Sequence, residues 1–114
     1  MSSRTFRVDS HWLAMGGELK GEAGGAPVSA QAYITCSGEG CRFVLWFLPE
    51  GDVLPAATCD LEGTEAALYL PFSTWAPFVD LVQTTSPLYA YVSSDEPSQN
   101  CLRTSVEAVA GEMM

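Results

Sequence analysis

Residues 28–48 read VSAQAYITCSGEGCRFVLWFL, and this stretch decides the fold. Residues 28–36 alternate between apolar and polar side chains, which is typical of a strand with one buried face. Residues 41–48 are nearly all apolar and indicate a central strand that is buried on both faces. The four residues between the two segments favour a turn. The stretch therefore predicts a β-hairpin.

A glycine-rich segment precedes this hairpin. Gly16, Gly17, Gly21, Gly24 and Gly25 lie close together, with Pro27 just after them. This composition predicts a flexible loop or the tip of a long hairpin over residues 16–27. Residues 5–15 are compatible with an extended segment that breaks near residues 9–10.

Further strand patterns follow the central hairpin. Residues 53–61 are ambiguous because Pro55 interrupts them. Residues 65–72 alternate again, and residues 88–93 and 102–109 predict two final strands.

One helix is predicted between these strands. Ser73 is suited to cap its first turn, and Pro87 ends it. The apolar side chains of the segment recur at helical spacing and form one face that can cover a sheet. These residues are Trp75, Phe78, Val79 and Val82.

The order of these elements, β-β-β-β-α-β-β, indicates an α+β fold in a single domain over residues 1–114. Few connections are long enough for parallel crossovers. We therefore expect a mainly antiparallel, curled sheet of five to six strands with one helix packed on one face. The alternative is that this sheet curls into a half-barrel around the helix.

The charge of the chain limits its partners. Its 14 acidic and 5 basic residues give a net charge of −9, and residues 43–102 contain no lysine or arginine. Such a surface repels phosphates, which argues against nucleic acid and anionic membranes. No apolar run approaches the ~18 residues of a membrane span. The charge is compatible with a basic protein, a cation or a neutral ligand as the partner. It is equally compatible with an acidic surface that only keeps the protein soluble.

The cysteines and the single histidine form no recognisable catalytic or metal motif. Cys36 and Cys41 are expected to face each other across the hairpin, and Cys59, Cys101 and His11 are scattered singly. The N-terminus has no apolar signal region, so we expect a cytoplasmic protein with reduced thiols and no metal or cofactor. His11 follows Asp9 and Ser10 directly, and consecutive strand residues point to opposite faces, so the three cannot form a triad. We therefore predict no catalytic residue.

The tyrosines are the most informative polar pattern. Each lies on the strand face opposite the aliphatic residues, which predicts one shared sheet face. Tyrosine offers a large contact area and a hydroxyl group at low entropic cost, as suits a binding surface. A barrel interior or a subunit interface is the alternative. The residues are Tyr33, Tyr69, Tyr89 and Tyr91.

Acidic loop residues are expected to border this face. If the segment 53–61 stays at one edge of the sheet, they gather into one negative surface that attracts a basic partner. If the segment crosses the sheet, they are dispersed. The residues are Glu50, Asp52, Asp60, Glu62 and Glu65.

Together these features predict a non-enzymatic binding module for a protein or for a neutral or cationic small molecule. A small acidic inhibitor or immunity-type protein is one form of it. Two alternatives are a small enzyme with a carboxylate acid/base pair in a half-barrel pocket, and a homodimer with no ligand site.

Overall fold

The structure is a computed structural model, and it describes residues 3–23, 26–60 and 64–104. These ranges contain eight strands and one α-helix. The elements are β1 (Ser3–Arg7), β2 (Ser10–Ala23), β3 (Ala26–Gly38), β4 (Cys41–Leu48), β5 (Thr58–Cys59), β6 (Glu65–Pro71), α1 (Trp75–Thr84), β7 (Tyr89–Ser93) and β8 (Cys101–Arg103).

The strands divide into two sheets. One sheet has five strands in the order β2-β3-β4-β6-β5, and the other has three antiparallel strands in the order β1-β7-β8. The α+β class is confirmed. The prediction of one mainly antiparallel sheet is only partly right, because the strands form two sheets and β4 runs parallel to β6. The five-stranded sheet is not closed.

The parallel pairing of β4 and β6 depends on the connection over residues 49–64. This segment exceeds the dozen or so residues that a parallel connection needs. On its way it forms β5, which pairs antiparallel to β6 with Thr58 opposite Ala67. The segment that was ambiguous in the sequence thus contributes a two-residue edge strand.

The predicted hairpin of β3 and β4 is present, but its turn is shorter than expected. Glu39 and Gly40 form the turn, with φ angles of 51° and 77°, as two-residue hairpin turns require. Cys36 therefore lies opposite Phe43, and Cys41 lies opposite Gly38. The expectation that the two cysteines face each other was wrong because both strands extend further into the turn.

The main core lies between the five-stranded sheet and a second layer made of α1 and the three-stranded sheet. Phe47 packs edge-on against Trp75 and Phe78 of the helix, with ring centroids 5.1 and 5.8 Å apart. The predicted apolar stripe of α1 therefore does face the sheet. The large side chains buried in this core include Phe6, Ile34, Phe43, Leu45, Phe47, Val82 and Val92.

The start of α1 is stabilised from a distant turn. The Ser73 side chain was expected to cap the helix, but the Ser73 backbone N–H instead donates to Oε2 of Glu50 at 2.7 Å. A single 3-10 turn over Phe72–Thr74 then leads into the helix. No helix in the described ranges has the length and apolar character needed to cross a membrane.

Asn100 joins the two sheets. Its side chain is buried, and its Oδ1 accepts a hydrogen bond of 2.9 Å from the Ser93 backbone. Its Nδ2 donates to the carbonyl oxygens of Thr58 and Ala67, at 3.1 and 3.5 Å. One amide group thus connects β7 of the small sheet with β5 and β6 of the large one.

The leucine at the centre of β4 provides a test of this core. Leu45 has no exposed surface, so Leu45→Ala should lower the free energy of unfolding by about 2–5 kcal/mol, the range for a leucine cavity. Leu54 is 40% exposed, so the same change there should cost less than about 1 kcal/mol. Urea unfolding followed by circular dichroism measures both. Equal losses would contradict the placement of β4.

Candidate functional site

The face of the five-stranded sheet that points away from α1 carries a row of aromatic side chains. Tyr33, Trp46 and Tyr69 lie in register across β3, β4 and β6. The rings of Tyr33 and Trp46 are tilted against each other with centroids 5.1 Å apart. We call this side of the sheet the outer face.

The far end of the β2–β3 hairpin folds over the outer face. The register of β2 against β3 shifts between Met15 and Leu19, and pairing then continues through residues 19–23 and 26–30, which we call the arm. The prediction of a long hairpin tip over residues 16–27 is therefore correct for its described part. Tyr69 fastens the arm by donating its hydroxyl to the Glu22 carbonyl at 3.2 Å.

Gly21 allows the arm to touch the sheet. A Cβ atom at this position would come within 2.7 Å of the Trp46 ring, so no larger residue fits without displacement. Val28 and Ala30, on the opposite strand of the arm, pack with Leu48 and Tyr69 in a second, smaller apolar cluster. Among the described residues, apolar contacts and the hydrogen bond between Tyr69 and Glu22 thus hold the arm.

A cavity of about 250 Å³ lies beside the arm on the outer face. Trp46 and Tyr69 line one end, and Arg42 and Glu65 line the other. The remaining lining residues are Glu22, Val44, Thr58, Ala66 and Ala67. The cavity therefore combines an aromatic end with a charged end.

The charged end is an ion pair that solvent reaches. Arg42 Nη2 lies 3.1 Å from Glu65 Oε1, and at least half of each side chain is exposed. Exposed pairs of this kind contribute little to stability, so Glu65 can exchange Arg42 for another cation at small cost. Burial raises the pKa of Tyr69.

The four predicted tyrosines do not share one face. Tyr33 and Tyr69 belong to the five-stranded sheet, whereas Tyr89 and Tyr91 lie on β7 of the three-stranded sheet. The Arg103 guanidinium stacks over Tyr91 at 4.2 Å from the ring centroid. The prediction of a single face was wrong because strand alternation indicates the side of a sheet, not the sheet to which a strand belongs.

The predicted acids do not gather into one surface either. Because β4 and β6 are parallel, Glu65 lies beside the start of β4, whereas Glu50 follows its end. The length of β4, ~20 Å at about 3.3 Å per residue, separates the two acids. Asp52 is exposed in the turn that contains Glu50. Glu62 lies outside the described residues.

Besides Glu65 with its Arg42 pair, two more of these acids have structural contacts. Glu50 holds the start of α1 through its hydrogen bond with the Ser73 backbone. Asp60 accepts hydrogen bonds from the Thr64 backbone and hydroxyl, at 2.7 and 2.6 Å, and so closes the loop before β6. A role of any of the acids in partner binding stays a prediction.

Trp46, Arg42 and Gly21 were not predicted as site residues. Trp46 stands in an almost entirely apolar strand, where it resembles a core residue. Its alternation with the buried Leu45 and Phe47 was the available signal that it faces the other side. The role of Gly21 depends on a contact that no local pattern contains.

The cysteines and His11 are not among the residues that line this cavity. Burial raises the pKa of Cys36 to about 12, and burial next to Asp60 and Cys41 raises the pKa of Cys59. His11 lines a different cavity of about 260 Å³ near the end of α1. Within the described part of the chain, no three histidine, cysteine or acidic side chains cluster as metal ligands would.

Comparisons with known proteins add no functional information: no family model, curated protein or solved structure matches the chain. The function is therefore argued from the geometry of the site.

The closure of the arm can be tested at two glycines of the same strand. Gly21→Ala should push the arm away from Trp46, shift the Trp46 indole NMR signal and cost about 1–3 kcal/mol of stability, as overpacking does. A methyl group at Gly17 would meet no atom within 4 Å, so Gly17→Ala should leave both unchanged. Two indistinguishable variants would mean that the arm does not lie on Trp46.

Thiol reactivity provides an independent test of burial. Because the pKa of Cys36 is about 12, almost no thiolate forms at pH 8, and iodoacetamide should label Cys36 far more slowly than the half-buried Cys101. Peptide mass spectrometry over time measures both rates in the native protein. Labelling of Cys36 at the rate of Cys101 would contradict the packing of β3.

Proposed function

We propose that this protein is a non-enzymatic binding module that receives a lysine or arginine side chain of a basic protein partner in the cavity beside the arm. The observation that carries the proposal is the combination of Trp46 and Tyr69 at one end of the cavity with Glu65 at the other. A long basic side chain has the matching form, an apolar stem with a charged head.

The chemistry of the lining favours a cation over an anion. The aromatic end suits the apolar stem of such a side chain, and Glu65 suits its charged head. Glu65 offers a carboxylate whose ion pair with Arg42 is exposed. The net charge of −9 adds a general attraction for a basic protein, although its loop acids are dispersed. A small acidic inhibitor of a basic target is one form of this function.

Catalysis by a carboxylate pair is less well supported. Glu22 and Glu65 are the two acids that line the cavity. Gly21 faces Trp46, so strand alternation directs the neighbouring Glu22 side chain to the other side of the arm. A pair of acids flanking a substrate is therefore not available there. The lining contains no histidine, cysteine or serine that could act as a nucleophile or base.

Small probes test the preference for a cation. N-acetyl-lysine methylamide should shift the NMR signals of the Trp46 indole and of Tyr69, while the uncharged N-acetyl-norleucine methylamide should bind at least about threefold more weakly. Glu65→Gln should weaken binding of the lysine probe by about three- to tenfold, the effect of losing one partly screened charge. Asp80→Asn removes the same charge from the exposed side of α1 and should change nothing.

Two results would contradict the proposal. Equal binding of the two probes would remove the preference for a cation. An equal loss in Glu65→Gln and Asp80→Asn would mean that only net charge matters and that the cavity takes no part.

A further inference from the structure

β2 forms one edge of the five-stranded sheet, and the two halves of this strand differ. Residues 10–15 pair with β3 on one side, and no described strand pairs with them on the other. Their outward backbone groups are therefore a template for another strand. Beyond them, the register shift between Met15 and Leu19 interrupts the edge before the arm begins, and Lys20 lies within the arm.

The first half of β2 lacks the features that normally protect an edge. Residues 10–15 include no lysine, proline or bulge. They also carry Trp12 and Met15, which are 49% and 65% exposed. These are two of the four exposed large hydrophobic side chains in the described ranges, the others being Val53 and Leu54.

The charge of this edge indicates what covers it. Residues 10–17 contain no acidic residue, although the chain as a whole carries a net charge of −9. Two copies of so acidic a protein approach each other most easily along a segment without acids. A basic partner would find no carboxylate there to pair with.

We infer that β2 pairs with β2 of a second copy of this chain, antiparallel and around a two-fold axis, and so joins the two five-stranded sheets into one. A two-fold axis perpendicular to the sheet keeps each side chain on its own face of the sheet. An even-numbered residue of β2 therefore pairs with an even-numbered residue of the second copy, and an odd-numbered residue with an odd-numbered one. Of the registers that stay within the regular part of the strand, we infer the one centred on Trp12, which places Trp12 opposite Trp12 of the second copy.

This register satisfies both charge and packing. Ser10 then lies opposite Ala14 of the second copy, and Asp9 lies opposite Met15, so no two acids meet. The paired Trp12 rings cover the largest exposed aromatic surface of the edge, and cross-strand aromatic pairs stabilise antiparallel sheets. The two arms extend from opposite ends of the joined strands. The inference does not depend on the proposed ligand.

Sedimentation equilibrium tests the pairing. The protein should be a dimer, and Trp12→Lys should raise its dissociation constant at least about tenfold, because it removes the central aromatic contact and opposes two cations. Val53→Lys makes the same kind of change at a residue that is 91% exposed and should leave the dimer intact. A monomeric wild-type protein at millimolar concentration, or a dimer that Trp12→Lys leaves unchanged, would overturn the inference.

A cross-link tests the register. In the proposed dimer, Trp12→Cys places two thiols opposite each other, with Cα atoms about 4.5–5.5 Å apart, within the range of a disulfide. Mild oxidation should convert this variant to a covalent dimer, whereas Val53→Cys and the wild type should stay uncrosslinked under the same conditions. Circular dichroism confirms that each variant is folded. A folded, dimeric Trp12→Cys variant that forms no cross-link would exclude this register.

Discussion

β4 is covered on both of its faces, and this double burial is the constraint on which the rest of the structure depends. Toward the inside, Phe43, Leu45 and Phe47 have no exposed surface and hold the helix and the three-stranded sheet. Toward the outside, Trp46 lies between Tyr33 and the arm at Gly21. Burying both sides of one strand requires a layer on each, which explains why the hairpin of β2 and β3 extends so far beyond the sheet.

The sequence predicts the elements of this fold better than their arrangement. The central hairpin and the stripe of α1 follow from local periodicity, which is why both are present. The parallel pairing of β4 with β6, and the division of the strands into two sheets, depend on contacts between distant residues. Asn100 and Glu50 make two such contacts, and the residues next to them in the sequence do not predict either contact.

The candidate site, too, depends on contacts between distant residues that local sequence patterns do not predict. Tyr33 and Tyr69 could be assigned to one face from alternation, but Tyr89 and Tyr91 could not be excluded from it, because alternation does not identify the sheet. The cavity itself arises from the fold. Arg42 and Glu65 are brought together by the parallel register of β4 and β6. The arm can lie over Trp46 because Gly21 has no side chain. The acids that seemed to be a binding surface are spread by that same register, and two of them stabilise a loop and a helix start.

The central claim is that the arm rests on Trp46 and thereby forms the wall of the ligand cavity. Nuclear Overhauser measurements on the free protein test it most directly. Gly21 Hα should show cross-peaks to the six-membered ring protons of Trp46 and an upfield shift from the ring current, because the indole lies against the glycine backbone. A Gly21 Hα signal at its random-coil position without such cross-peaks would contradict the account, since the outer face would then have no arm over it and no cavity of this shape.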